Sequence, residues 1–570
     1  MSAPAIPTTA ARAAVESFRE GVEGARVTVV GGARSGLAAA RLLARRGARV
    51  FLTDASPLAP EAQAELRASG VACEGGGHTD RALQADLVVL SPGVPSTAPL
   101  VRDAIAGGLP VVSEIEAASW FCRGPIVAVT GSNGKTTTTS LIAHVFATAG
   151  RKHVVAGNIG TAFSDYVDEI DEGTAVILEV SSFQLDHVVT FRPHVAVLLN
   201  VTPDHLDRYG GSFERYAAAK YRLFEAAQRP GDWLVYNKDD AHVAAHVEAW
   251  AAREGVTPVP FSVDEPLALG AYVRHAGDGH AGGDVITLSL PGRGSGSAAP
   301  SAPEAFDPPA ASGAPGLMPL APEAAPDSGA GADAPRGVSP DSPLGAPTPE
   351  ADPAPGPAPE AARAAPWATL RPTDPLLPDE ALMPTSDLAL RGRHNLYNSL
   401  AAAVVARAVE IRSDVVRQSL TSFEGVPHRL ERVRTVRGIA YVNDSKATNV
   451  NAVWYALESF PTHDDGRPSV VLIAGGRDKG NDYGPLRRLV SEKVLGIVAI
   501  GEGARKVLDE LGELVEHTAE AHSMEEAIQF ATMMAAEGDT VLLSPACSSF
   551  DMFDNYEHRG DAFKRAVQSL

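Results

Sequence analysis

Residues 126–139, Ile-Val-Ala-Val-Thr-Gly-Ser-Asn-Gly-Lys-Thr-Thr-Thr-Thr, leave a chain few ways to fold. A short apolar run passes straight into a glycine-bearing turn, a lysine and a series of hydroxyls. Ser140-Leu-Ile-Ala-His-Val-Phe then carries apolar residues at helical spacing. Strand, glycine turn and helix in that order form a phosphate cradle. Gly131 and Gly134 let the backbone of Ser132 and Asn133 turn its N–H groups inward, and the helix start adds its positive dipole end at the same place. Lys135 brings a full charge to the terminal phosphates of a bound ligand, while the hydroxyl of Thr136, ahead of Thr137, suits Mg²⁺. Val129 stands where the eight-residue P-loop signature has its first glycine, so the loop is the shorter form over 130–137.

A length of 570 residues allows about three or four domains. The net charge of −21 argues against a nucleic-acid partner or an acidic membrane surface, so a small anionic substrate is met by local lysines, arginines and helix ends. Cys73, Cys122 and Cys547 are scattered and odd in number, which suits a reducing compartment rather than a disulfide framework. No apolar run approaches about 18 residues. A soluble, cytoplasmic monomer is expected.

Residues 1–25 read as a loose tail with a short helix, and 26–122 as a first domain. Within it, Arg26-Val-Thr-Val-Val-Gly-Gly-Ala-Arg-Ser-Gly is a strand, a glycine turn and a helix start, and a second strand over 48–53 ends at Asp54. Ala33 replaces the middle glycine of a dinucleotide fingerprint, which disfavours NAD and the dehydrogenase reading with it. A further strand over 86–90 ends in a tight loop at Gly93, and a nucleotide of another kind fits this edge.

Beyond the phosphate loop, one strand ends at Glu179 and another leads into Asp204, His205 and Asp207. Ligands of open parallel sheets bind outside the carboxyl ends of the strands, so Lys135, Thr136, Glu179 and His205 are expected to share one crevice and to hold magnesium. Taken singly, Glu179 reads equally as an edge carboxylate and His205 as a satisfied loop histidine. Phe213, Ala217, Lys220 and Phe224 fall on one helical stripe. A bare ammonium there is costly to bury and repels a nearby Mg²⁺. Either Lys220 snorkels to water or it is paired or chemically modified.

From 291 to 379 the chain turns rich in Pro, Ala, Gly and Ser, a composition that cannot bury a core. It reads as a disordered insertion in a central domain over 123–426, with a partner-binding role left open. Past it, Asn395 and Asn398 share one face near a helix start; capping explains one asparagine, and two suggest a ligand. Over 427–570 apolar strands alternate with helices in a third domain, whose loops carry lysines and hydroxyls suited to a carboxylate.

Thr130-Gly-Ser-Asn-Gly-Lys-Thr-Thr, Gly157-Asn-Ile-Gly, Glu179-Val-Ser-Ser-Phe-Gln-Leu, Asn200-Val-Thr-Pro-Asp-His-Leu-Asp-Arg-Tyr, Gly392-Arg-His-Asn, Pro427-His-Arg, Asn443-Asp-Ser-Lys-Ala-Thr-Asn and Leu543-Ser-Pro-Ala-Cys-Ser-Ser together resemble the Mur ligases of peptidoglycan synthesis. The likeness covers 26–290 and 385–570 in order, and the tail and insertion have no counterpart in it. It implies an α/β enzyme of three domains: an N-terminal Rossmann-like domain, a central P-loop ATPase-type parallel-sheet domain and a C-terminal Rossmann-like doubly wound domain. The implied reaction is ATP-dependent amide ligation through an acyl phosphate and a tetrahedral intermediate.

By position, the resemblance implies that Lys135 holds the γ-phosphate, Thr136 and Glu179 one Mg²⁺, and His205 with Lys220 a second, Lys220 being carbamylated. Asn395, Asn398, Arg429 and Asp444 would hold adenosine. Arg34, Ser35, Asp54 and Gly93 would take a uridine diphosphate and Asn158 the muramoyl part. Lys446, Thr448, Lys479, Ser549 and Tyr556 would bind D-glutamate, with UDP-N-acetylmuramoyl-L-alanine as the acceptor. The Asp-Asn-Pro-Arg loop of the sibling that adds a diamino acid is absent, which favours D-glutamate. Two other readings stay open: a folylpolyglutamate synthase-like ligase, and a nucleotide switch that holds or hydrolyses ATP without either substrate.

Overall fold

Runs of Val, Ile and Leu too short for helices and bounded by glycines form the strands of three sheets. The computed structural model describes residues 9–225, 231–254, 256–276, 283–292, 370–478 and 480–570. The first sheet holds β1 (Arg26–Val30), β2 (Arg49–Asp54), β3 (Ala72–Gly75), β4 (Leu87–Leu90) and β5 (Val111–Ser113), all parallel, in the order β3-β2-β1-β4-β5. The order reverses between β1 and β4, which opens a crevice at their carboxyl ends. The helix Thr9–Glu20 packs on this domain: Val15, 1% exposed, and Val22 join the core of Val27, Val29 and Leu52. The expected tail is therefore in part a packed layer, held by apolar residues at 15, 18 and 22.

The central sheet has nine strands: β6 (Ile126–Thr130), β7 (His153–Gly157), β8 (Ala175–Glu179), β9 (Val195–Leu198), β10 (Trp233–Asn237), β11 (Val259–Ser262), β12 (Gly270–Arg274), β13 (Val285–Ser289) and β14 (Glu380–Pro384). β6 lies between β8 and β9, parallel to both, so the phosphate loop and the ends of β8 and β9 open side by side. The sheet is parallel as far as β12, but β13 and β14 are antiparallel additions. Residues 370–379, expected in the insertion, are built into this edge. Trp233 Nε1 donates to the Leu370 carbonyl at 3.1 Å, Leu370 is buried, and Pro291 bridges Leu376. The rest of the expected insertion, 293–369, lies outside the described residues.

Because Pro291 and Leu376 are held together, replacing 295–368 with a short Gly/Ser bridge, which keeps Leu370 and Leu376, closes a small gap at little entropic cost. The deletion is expected to keep solubility and at least about half the activity. Gel filtration and initial rates check it, and loss of either would contradict it.

The third sheet holds β15 (Glu431–Val436), β16 (Ile439–Asn443), β17 (Val470–Gly475), β18 (Val494–Ile500), β19 (His517–Ala521) and β20 (Thr540–Ala546) in the order β15-β16-β20-β17-β18-β19. Only β15 runs antiparallel. The loops leaving β16, β17 and β20 share one edge, the carboxyl edge at which such a sheet binds ligands. Among the described residues no helix is long and apolar enough to cross a membrane.

The first two sheets are joined by a buried carboxylate. Glu116, 0% exposed, accepts from the backbone N–H groups of Val189, Thr190 and Phe191, each at 2.8 Å, from the Thr190 hydroxyl, and from Trp120 Nε1 at 3.0 Å. Beside it, Ser113 N donates to the His187 carbonyl, and Val189 enters the first domain's core.

Candidate active site

The turn after β6 is built for close approach. Gly131 and Gly134 lie at φ 155° and 84°, and a Cβ on Gly134 would stand 2.5 Å from Asn398 Oδ1. Asn200 fixes the turn by accepting from Asn133 N at 2.8 Å and donating to the Asn133 carbonyl at 3.0 Å. Thr136 and Thr137 are buried in the first turn of the helix Lys135–Thr148.

Two lysines meet on this turn. Lys135 Nζ donates to the carbonyls of Gly131 and Ser132, each at 2.8 Å, and Lys220 Nζ donates to the same Gly131 carbonyl at 2.8 Å. Lys220 does not snorkel: it is 2% exposed and its ammonium stands 4.8 Å from the centre of the Tyr216 ring. Burial, then the charge of Lys135, push its pKa well below the usual lysine range, while Asp204, Glu179 and Asp186 pull the other way. Lys135 is lowered by burial too, against the pull of Glu179 and Asp204.

The carboxylates around these lysines leave capacity for a cation. Glu179, 2% exposed, accepts from Asn158 Nδ2 at 2.8 Å through Oε1, while its buried Oε2 has no hydrogen-bond partner among the described residues. That orphaned oxygen beside the phosphate turn fits Mg²⁺. Among the described residues no group of three or more His, Cys, Asp or Glu could hold a metal by itself. Mg²⁺ keeps waters and takes one or two protein ligands plus phosphate oxygens, so the donor set suits it. His205, in the left-handed region at φ 50°, has Nε2 3.7 Å from Asp204 Oδ2 and its ring against Phe183. Asp204, whose charge reaches both lysines, belongs to the site; its place beside His205 was the available signal.

A cleft runs from this turn to the third domain. Asn133, Gly134, Asn398, Arg429 and Asp444 line it, together with Asn237, Asp239, Asp240, His394, Tyr397 and Tyr455, which sequence reasoning missed. The expected ligand-facing pair is partly an internal brace: Asn398 accepts from Thr138 Oγ1 and donates to Asn395 Oδ1, and Asn395 donates to the Arg391 carbonyl. Arg429 is flanked by two non-glycine residues in left-handed backbone, His428 at φ 62° and Leu430 at φ 45°, a strain of the kind found at binding sites. Burial pushes the Asp444 carboxyl up to about 7, against the Arg429 charge and the Ser544 hydroxyl that donates to it at 2.8 Å.

Across the cleft, Lys446 Nζ stands 5.2 Å from the centre of the Tyr556 ring. Burial lowers Lys446 to about 8; Glu179 raises it, and Arg429 and Lys135 lower it. Thr448 is half-buried and Ser549 buried on neighbouring loops, and Lys479 lies outside the described residues. On the first domain, Arg34 Nη1 donates to the Gly160 carbonyl at 3.5 Å, and Arg208 Nη1 donates to Gly93 O at 3.3 Å. Ser35, half-buried, follows Arg34 in the helix Arg34–Arg45. Asp54 accepts from Gly32 N at 2.5 Å and Ser56 N at 2.7 Å, so its carboxylate also closes the loop after β2.

Three family models match in succession: a Mur ligase MurD-like N-terminal domain at 25–113, a Mur ligase middle domain at 129–292 and a Mur ligase glutamate ligase domain at 428–547. The UDP-N-acetylmuramoylalanine–D-glutamate ligase of Salinibacter ruber is 49% identical over 550 residues, 96% of this chain and 98% of that one. The ligase of the same name from Chloroherpeton thalassium is 40% identical over 559 residues, 97% and 99% of the two chains.

Proposed function

The chain belongs to the Mur ligase family, and from that premise we propose that it joins D-glutamate to UDP-N-acetylmuramoyl-L-alanine with cleavage of ATP to ADP and phosphate. One observation carries the reading beyond the relatives' names. Lys446, on a loop suited to a carboxylate, feels the charges of both Lys135 and Glu179 at the phosphate turn. That a lysine suited to phosphate and a lysine suited to a carboxylate lie close enough to interact supports one shared reaction centre.

In this reading the acceptor's carboxylate oxygen attacks the γ-phosphorus and ADP leaves. The amine nitrogen of D-glutamate then attacks the acyl carbon, phosphate departs, and the nitrogen gives up a proton. Lys135 shifts from its own loop carbonyls to the γ-phosphate and neutralises it. Mg²⁺, when bound, draws charge from the phosphate oxygens. Thr136 and the free oxygen of Glu179 would hold one ion, and His205 with Lys220 would hold a second. Asn395, Asn398, Arg429 and Asp444 hold adenosine; Arg34, Ser35, Asp54 and Gly93 take the uridine diphosphate; Asn158 takes the muramoyl part; Lys446, Thr448, Lys479, Ser549 and Tyr556 take D-glutamate.

Lys220 acts as its carbamate. A neutral Nζ adds to CO₂ with loss of one proton, turning a buried cation beside Lys135 into an anion that both Lys135 and Mg²⁺ favour. Its burial supports this, as does the lack of any carboxylate within ion-pairing distance among the described residues.

The test is mass spectrometry of the product, which gains one glutamyl residue only when ATP and D-glutamate are both present. Scrambling of bridge-labelled ATP with the acceptor alone would report the acyl phosphate; its absence would remove that step. A pH dependence follows as well. Lys446 is charged below about 8 and neutral above it. The KM for D-glutamate is thus expected to rise up to about tenfold per pH unit above that point. Lys446→Arg should remove the inflection; an inflection unchanged in that variant would discount the lysine.

A further inference from the structure

The helix Tyr556–Gln568 carries an arginine that nothing so far has used. Arg559 is 0% exposed, on a stripe with Phe563, Ala566 and Val567. Its Nε donates to Ser445 Oγ at 3.0 Å, its Nη2 to the Ser445 carbonyl at 2.8 Å and its Nη1 to the Cys547 carbonyl at 3.1 Å. Ser445 Oγ in turn donates to the Tyr556 carbonyl at 2.8 Å. The backbone of Gly476 passes so close that a Cβ there would stand 3.2 Å from Nη1. The fork thus bonds the loops after β16 and β20, lies close to the loop after β17, and reaches the start of its own helix through Ser445.

Those four segments bear Lys446 and Thr448, Ser549, Lys479 and Tyr556, the residues proposed to hold the incoming amino acid. A planar guanidinium holds them in register better than any single-point donor, because its donors are fixed relative to one another. Its charge has a second consequence. Among the described residues no carboxylate comes within ion-pairing distance, and Asp551 and Asp444 act on it only from farther off. A buried charge so weakly balanced is costly to the free protein, and an anion bound just above it regains part of that cost.

We infer that Arg559 is a positioning residue for the second substrate: it pins the amino-acid loops together from beneath and makes their shared pocket electrostatically ready for a dicarboxylate. The inference rests on the D-glutamate reading, and the experiment separates the two. In the full chain, KM is measured for each of the three substrates in wild type, Arg559→Lys, Arg559→Gln and Ser445→Ala. Wild-type turnover with D-glutamate upholds the underlying reading; without it that reading fails, whatever Arg559 does.

Given turnover, Arg559→Gln is expected to raise KM for D-glutamate at least about tenfold while the other two KM values stay within about twofold. Arg559→Lys, which keeps the charge, recovers part of the loss, and Ser445→Ala gives a smaller shift of the same selectivity. If Arg559→Gln does not fold, the Lys and Ala variants decide in the same way. A KM for D-glutamate within about twofold of wild type in every folded variant would overturn the inference. So would a lysine variant no better than glutamine, or three KM values that move together.

Discussion

Replacing Lys220 with alanine lowers kcat by at least about a thousandfold and leaves the folded protein intact. The residue sits on the Gly131 carbonyl at the centre of the phosphate turn, so removing it takes away the anion proposed to help hold Mg²⁺ beside the transferred phosphoryl. Among the described residues its side chain makes one hydrogen bond, to Gly131, and the truncation removes a poorly balanced buried charge along with its packing, so the fold is expected to survive. The two states of the lysine make opposite demands. If it acts as a carbamate, short-chain carboxylates added to Lys220→Ala restore part of the rate by standing where the carbamate stood, and Lys220→Arg stays inactive. Gentle mass spectrometry of wild type should then show a gain of one CO₂. A variant rescued by small amines instead would assign Lys220 a cationic role.

Glu116→Ala is expected to destabilise the protein by about 3–5 kcal/mol, since it strips a common acceptor from several buried donors at once. Backbone N–H groups of Val189, Thr190 and Phe191 would be left in a packed seam with no water to replace the carboxylate. Glu116→Gln should cost less, because one acceptor oxygen survives while the amide NH₂ faces donors. The midpoint of urea unfolding measures both. An alanine variant with an unshifted midpoint would mean that the seam between the first two domains is held by apolar packing alone.

How much of this was legible depends on whether the determining contacts are local. The phosphate turn was, because strand, glycines, lysine and hydroxyls are contiguous and each residue type has one physical use there. Glu179 and Asp204 were half legible: their place at strand ends was clear, but which oxygen stays free depends on Asn158 and on burial. Glu116 was not legible at all, since its backbone donors lie more than 70 residues away and a glutamate between an isoleucine and an alanine reads as an ordinary helix residue. β19 and β14 were missed because edge strands need little apolar patterning; β19, His-Thr-Ala-Glu-Ala, buries only its last residue. Residues 370–379 share the prolines of the insertion but carry three leucines, and Leu370 is buried with its carbonyl accepting from Trp233. Arg559 offered the same helical-stripe signal that marked Lys220, spaced by four from Phe563, and could have been found by the same reasoning.

The central claim is that one site closes an amide between a phosphorylated carboxylate and D-glutamate. Phosphate release from ATP and Mg²⁺ in the presence of UDP-N-acetylmuramoyl-L-alanine, scanned across single amino acids, tests it most directly. Sustained release with D-glutamate and none with L-glutamate is the result predicted. Release with no amino acid present, or with a different amino acid in place of D-glutamate, would contradict it.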